Sequence, residues 1–139
     1  MTVRYYVDTC VYRDHLEKRV GLDGRPLGKY AEQFFLRVIK RKDMIVFSDH
    51  IVSELRLCGC EQAFLLFEAL GVLKKVDILD SYWEEAKNRS EQNQGSFADH
   101  LHAIIARENN CVLVTQNIKD FITFTDSLVV VRPEQTLVP

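Results

Sequence analysis

Apolar residues follow two rhythms along this chain. The first is the short uninterrupted run: Tyr5-Tyr6-Val7, Met44 to Phe47, Cys111 to Val114 and Leu128 to Val131. These runs are rich in β-branched and aromatic residues, and continuous rather than alternating apolarity predicts short strands buried on both faces. Leu73 to Ile78 reads as a further short strand. The second rhythm has three- and four-residue spacing. From Lys29 to Lys40 the positions Tyr30, Ala31, Phe34, Phe35, Val38 and Ile39 form one stripe, so a long amphipathic helix is predicted there. Ile51, Leu55 and Cys58 predict another, with Glu54 early in it, and Gln62 to Leu70 a third. Ser81 to Asn93 is a polar helix anchored by Tyr82, Trp83 and Ala86 and stopped by Gly95. Phe97 to Glu108 turns Leu101, Ile104 and Ile105 inward. A short helix is expected over Val11 to Val20, and a glycine-rich loop over Gly21 to Gly28.

Strands interleaved with helices, the strands continuously apolar, predict an α/β fold: a parallel sheet with helices covering both faces. At 139 residues the chain is expected to form one domain spanning residues 1–139. No apolar run approaches the ~20 residues that a membrane helix needs. The opening MTVRYYVDTCVY looks like a strand rather than a signal peptide, so a soluble, cytoplasmic protein is expected. Cys10, Cys58, Cys60 and Cys111 lack regular spacing and read as buried reduced thiols. The net charge of −2 lacks the basic excess of most nucleic-acid binders. Acidic charge gathered at a metal site changes that picture, because bound cations reverse the local sign and anchor a phosphate.

Three of the predicted strands stop at polar residues: Asp8-Thr9, Ser48-Asp49 and Thr115-Gln116-Asn117. In open parallel sheets ligands bind outside the carboxyl ends of the strands, where strand order reverses, so these ends are expected to meet. Glu54, on the helix after the second strand, and Asp99, in the first turn of the helix before the third, can project over the same edge. Oxygen donors in such a cluster suit Mg²⁺ or Mn²⁺, and the chemistry this suits is metal-assisted phosphodiester hydrolysis. His100 and His102, together with Cys58-Gly59-Cys60, offer no paired CxxC or HxxxH motif, so zinc is not expected and His102 reads as helix packing. Ser96-Phe97-Ala98-Asp99 also reads as a capping box, a role Asp99 can hold alongside a metal role.

Tyr6-Val7-Asp8-Thr9, Ser48 followed by Val52-Ser53-Glu54-Leu55, Asp99 with His102-Ala103-Ile104, and Val114-Thr115-Gln116-Asn117-Ile118-Lys119-Asp120-Phe121 together resemble the PIN domain, especially its VapC-like toxins. The resemblance covers nearly the whole chain. It implies a three-layer α/β/α fold with a parallel sheet of about five strands, and a Mg²⁺- or Mn²⁺-dependent endoribonuclease acting on single-stranded RNA. It also implies a homodimer silenced by an antitoxin protein. By position, Asp8, Glu54 and Asp99 resemble the three core metal-site acids, and Thr9 and Thr115 the supporting hydroxyls in contact with substrate. Where many relatives carry an aspartate, this chain has Asn117, with Asp120 just before the phenylalanine. Asp120 is the preferred fourth catalytic and metal-binding acid, and Asn117 a neutral ligand or substrate contact.

Other readings stand beside this one. The same residues suit a PIN-like module that binds RNA or protein without cutting, or an RNA-processing nuclease that is not a toxin. Arg37, Lys40, Arg41 and Lys42, with Lys74-Lys75 elsewhere, form either a solvated face or an RNA-backbone track. Phe34 and Phe35 are expected in the core. Tyr12 and Arg13, just beyond Asp8, are placed by chain proximity for substrate contact.

Overall fold

A computed structural model describes residues 2–92 and 95–137, with Leu66 and Leu137 as backbone alone. Strand β1 (Arg4–Val7) leads into helices α1 (Thr9–Glu17) and α2 (Leu27–Arg41), and β2 (Met44–Phe47) into α3 (Asp49–Leu57) and α4 (Ala63–Ala69). After β3 (Leu73–Lys75) come α5 (Asp80–Gln92) and α6 (Phe97–Glu108), then β4 (Val112–Val114), a 3-10 segment Ile118–Phe124, β5 (Val130–Val131) and a second 3-10 segment Pro133–Leu137. The five strands form one parallel sheet in the order β3-β2-β1-β4-β5. This is the expected α/β class, with helices over a central parallel sheet.

The middle of the sheet carries the longest apolar runs because both of its faces are covered. Tyr6, Val7, Ile45, Val46, Leu113 and Val114 are all fully buried. Each large side chain hidden this way contributes roughly 1.5–3 kcal/mol. Edge strand β3 instead exposes Lys74 and Lys75, a charged rim that discourages pairing with another sheet. Phe34 and Phe35 are core residues, as expected, and Tyr12 joins them: its ring packs against Phe35, Phe64 and Phe67 and is fully buried. Tyr12 therefore cannot contact substrate from its present place, and Arg13 points to solvent, paired with Glu17 at 3.0 Å.

Helix boundaries move by a few residues, each for a visible reason. Helix α1 begins at Thr9, because Asp8 is the extended N-cap (φ −63°, ψ 146°). It ends at Glu17, where Lys18 turns left-handed (φ 52°) and returns its amide to the Asp14 carbonyl. Helix α3 begins earlier than its apolar stripe and stops before Cys58, with Gly59 at φ +73° turning the chain; Glu54 thus lies past the middle of α3 rather than early in it. Strand β3 ends at Lys75 because its partner β2 ends at Phe47, whose carbonyl takes the amide of Val76. Asn93, the expected end of the polar helix, lies outside the described residues. The four cysteines are free thiols; Cys60 and Cys111 are buried, but Cys58 is exposed, against expectation. No helix among the described residues is long and apolar enough to cross a membrane.

Strand order decides where a site can form. The chain steps outward from β1 to β2 and β3, then crosses to β4 and β5 on the other side, so the topology reverses between β1 and β4. Right-handed crossovers put the helices of the two halves on opposite faces, and accordingly α1 packs on α2 and α5 on α6. The crevice outside the carboxyl ends of β1 and β4 is the place where such folds bind ligands. The residues there are Asp8 and Thr115.

Candidate active site

Asp8 ends β1, 8% exposed, and Thr115 ends β4, fully buried. The Asp8 amide completes the sheet by donating to the Val114 carbonyl at 2.9 Å, and the Thr115 hydroxyl donates to Asp8 Oδ2 at 2.8 Å. The same hydroxyl accepts the Asn117 amide at 3.0 Å, and the Cys10 thiol also leans on Asp8 Oδ2 at 3.4 Å. One carboxylate oxygen is thus fixed by the protein, and the other, Oδ1, has His102 Nε2 at 3.9 Å.

Asp99 sits half-buried in the first turn of α6, where Ser96 caps the helix by accepting the Asp99 amide at 3.1 Å. The Ser96 half of the predicted capping box therefore exists. Burial pushes the Asp99 carboxyl above its ordinary value against the Ser96 hydrogen bond, and the negative charges of Asp8 and Asp120 push it further. Asp120, exposed on the first 3-10 segment, shares with Asp99 a cleft of about 530 Å³ that Lys119 also lines. Asn117 faces elsewhere. It lines a separate cleft of about 630 Å³ whose far wall is the Gly21–Gly28 loop and whose cations are Arg19, Arg25, Lys119 and Arg132 against the single acid Asp23. Of the two residues competing for the fourth position, Asp120 is the one that acts electrostatically on Asp99.

Glu54 is held differently. Its Oε1 accepts from the Thr9 hydroxyl at 2.5 Å and lies 2.6 Å from His102 Nε2, while Oε2 is 3.8 Å from His50 Nε2. Burial would raise its pKa, but the His102 hydrogen bond and charge, the Thr9 hydroxyl and His50 outweigh burial and hold it at about 2. His102 is 1% exposed, as a packing histidine would be, yet it also continues into a polar chain: Nδ1 lies 3.1 Å from the Tyr6 hydroxyl, which lies 2.9 Å from Ser48 Oγ. Burial opposes charge on His102, but Glu54, Asp8 and Asp99 together raise its pKa. His50 stacks on it, with ring centroids 4.3 Å apart.

The edge therefore holds two linked groups, Asp8 with Thr115, Asp99 and Asp120, and Glu54 with Thr9, His50 and His102. Asp8 and Glu54 both abut His102, which joins them. The histidines escape a reading based on carboxylates, although their spacing was a signal: His50 precedes Glu54 by four residues and His102 follows Asp99 by three, each on the same helix face as the acid. The donor chemistry fits a divalent cation, since crowded acids of one sign raise each other's pKa unless a cation joins them. Arg37, Lys40, Arg41 and Lys42 lie elsewhere. They end α2 just before β2 begins, at the opposite edge of the sheet, where cations complement a helix carboxyl terminus.

No family profile matches the chain, and no curated protein matches it. Solved structures do. VapBC2 of Rickettsia felis, crystallised with a DNA fragment from its promoter, is 22% identical over 92% of this chain and 97% of its own, with a TM-score of 0.66. A toxin–antitoxin complex of Klebsiella pneumoniae is 19% identical over 95% of this chain and 98% of its own, TM-score 0.59. FitAcB of Neisseria gonorrhoeae is 16% identical over 93% and 97%, TM-score 0.59. At such identities the likeness speaks to fold alone: the chain shares its five-stranded parallel α/β fold with these toxin–antitoxin structures.

Proposed function

We propose that the chain is a Mg²⁺- or Mn²⁺-dependent endoribonuclease, working in the cytoplasm as the toxin of a toxin–antitoxin pair. The observation that carries this reading is the Asp8–Thr115 pair at the point where strand order reverses, with Asp99 and Asp120 acting on the same spot. Asp8, Asp99 and Asp120, with Glu54 beside them, would hold a cation, which would supply positive charge for an RNA phosphate and lower the pKa of an attacking water. Thr115 keeps Asp8 in one orientation, and Thr9 does the same for Glu54. Asn117 and Thr9 are the substrate contacts in this reading, while Thr115, fully buried against Asp8, acts through that acid, and the cleft with Arg19, Arg25, Lys119 and Arg132 offers the positive charge that the whole chain lacks. Water adds across the bond between phosphorus and the 3′ oxygen, leaving 5′-phosphate and 3′-hydroxyl ends. The structural likeness to toxin–antitoxin complexes supports an antitoxin partner, and a second copy of the chain completes the assembly we propose.

One observation favours a second reading. Glu54 Oε1 already has two protein partners, the Thr9 hydroxyl and His102 Nε2, as in a module that binds RNA or protein without cutting. Purified protein incubated with structured RNAs and Mg²⁺ or Mn²⁺ separates the two. The nuclease reading expects cleavage that Asp8→Asn removes; cleavage by neither, together with no Mn²⁺ uptake in calorimetry, supports the binding module instead.

A further inference from the structure

Helices α3 and α6 bring nitrogen donors to the acid site. Among the described residues, His50, Glu54 and His102 offer ligand atoms that all lie within 4.8 Å of one another. His102 Nε2 is 2.6 Å from Glu54 Oε1 and 3.9 Å from Asp8 Oδ1, and His50 Nε2 is 3.8 Å from Glu54 Oε2. A tetrahedral site with bonds of about 2.1 Å has ligand atoms roughly 3.4 Å apart. The observed separations bracket that length.

The surroundings are those of a built site. A metal-binding imidazole usually has its second nitrogen held by a hydrogen-bonding partner that fixes the ring. His102 has this in Tyr6, and Tyr6 has Ser48 behind it, all three buried. The Tyr6 hydroxyl can donate or accept, so His102 stays satisfied when the proton on Nε2 is replaced by a metal ion and Nδ1 carries the hydrogen instead. A plain Glu54–His102 ion pair would account for His102 but not for His50. That ring is mostly buried, stacks on His102 at 4.3 Å, and its Nε2 sits beyond hydrogen-bond reach of the carboxylate it faces, donating instead to the Ala98 carbonyl at 3.3 Å, a bond that a metal ion on Nε2 would replace. Two imidazoles flanking one carboxylate, with a second carboxylate beside them, make a donor set for a cation.

We infer that His50, Glu54 and His102, with Asp8 beside them, form a mixed nitrogen and oxygen site that selects a transition-metal ion such as Mn²⁺, Co²⁺ or Zn²⁺ over Mg²⁺. Imidazole favours these ions, whereas Mg²⁺ takes carboxylate, carbonyl and water. The inference rests on the nuclease reading only for what the ion does there; the binding stands by itself. It also reverses the sequence expectation that zinc has no place, because the ligands come from two helices and no single motif contains them.

The test is a Co²⁺ titration of the full chain without RNA, read by visible absorption and followed by displacement with Zn²⁺ or Mg²⁺. The site predicts intense bands of low-coordinate cobalt with nitrogen ligands, displaced by Zn²⁺ and not by Mg²⁺. His50→Gln, which gives up one hydrogen bond to a carbonyl, weakens Co²⁺ binding by roughly 100-fold, and Tyr6→Phe by about 10-fold. Weak bands of six-coordinate cobalt, equal displacement by Mg²⁺, or wild-type affinity in His50→Gln overturn the inference. His102→Gln is buried enough to disturb folding, so His50→Gln decides. A wild type that binds Co²⁺ in this way without cutting any RNA supports the site and counts against the nuclease reading alone.

Discussion

Thr115 brings no charge to the crevice, yet its hydroxyl determines which oxygen of Asp8 stays available. Thr115→Val leaves Asp8 Oδ2 and the Asn117 amide short of a partner in a buried place, so a loss of roughly 1–3 kcal/mol in urea denaturation is expected, together with a fall in cleavage rate. Tyr12 presents the opposite case. Its hydroxyl is buried with no hydrogen-bond partner among the described residues, so Tyr12→Phe is expected to match or exceed wild-type stability and to leave RNA cleavage unchanged. Lower activity in that variant would restore Tyr12 to the substrate site. Asp14, 3% exposed, has its carboxyl pushed up to about 6 by burial, against the pull of Arg19 at 3.6 Å and of Arg13. With the folded value above the ordinary 3.8, its contribution to stability is complete below pH 3.8 and lost as pH rises through about 6. Asp14→Asn should then be more stable than wild type by roughly 2–3 kcal/mol at neutral pH, the gap closing below pH 4. A gap that stays constant with pH would show that burial is not what shifts Asp14. Asp8 and Thr115 were readable in the sequence because each ends an apolar run. His50 and His102 were not, since Glu54 and His102 meet across 48 residues and no local pattern reports that meeting.

Elements whose pattern is long were legible almost to the residue, as α2 and α6 show with their continuous apolar stripes. Short elements were not. Ile118, Phe121 and Phe124 recur every third residue, which is the 3-10 period, but three positions are too few to announce a helix before Phe121 and Phe124 are seen buried. The glycine-rich loop was legible as a loop and silent about its purpose. In the fold it closes on itself through Gly21 and Arg25, and Arg25 reaches Glu134 at 3.7 Å, so the loop becomes one wall of the cleft facing Asn117. Its last residue, Gly28, is where α1 and α2 touch. A Cβ there would stand 2.7 Å from the Asp14 carbonyl oxygen and from Lys18 Cα, backbone atoms that cannot step aside. Gly28→Ala is therefore expected to destabilise by roughly 1–3 kcal/mol, seen as a lower Tm, and an unchanged Tm would mean that α1 and α2 can part without penalty. On the other face Glu85 clasps α5 to α6, accepting from Arg107 at 2.6 and 2.9 Å and from Arg89 at 2.8 Å. Arg89 then lies over the Phe124 ring, which ties the 3-10 segment bearing Asp120 to the α5–α6 pair.

At the scale of the whole molecule, the parallel sheet followed from the kind of apolar runs, but the order β3-β2-β1-β4-β5 did not, because nothing local records which strand neighbours which. That order makes the site, by setting the end of β1 beside the end of β4. It also separates the charges. The basic end of α2 lies at the far edge of the sheet, while Arg19, Arg25, Lys119 and Arg132 line a cleft beside Asn117, so a chain of net charge −2 still gathers positive charge in one place. Replacing Arg25 and Lys119 together by alanine should weaken RNA binding and reduce the salt dependence of the affinity by about one to two phosphate contacts, as filter binding over a salt series would report. An unchanged slope would remove this cleft from the RNA path. Whether the crevice between β1 and β4 cuts RNA is decided by sequencing RNA ends from cells expressing the wild type or Asp8→Asn at equal levels. A nuclease site at Asp8 gives new 5′-phosphate ends at defined places with the wild type alone; the same ends from both proteins, or from neither, mean that this crevice does not cut RNA.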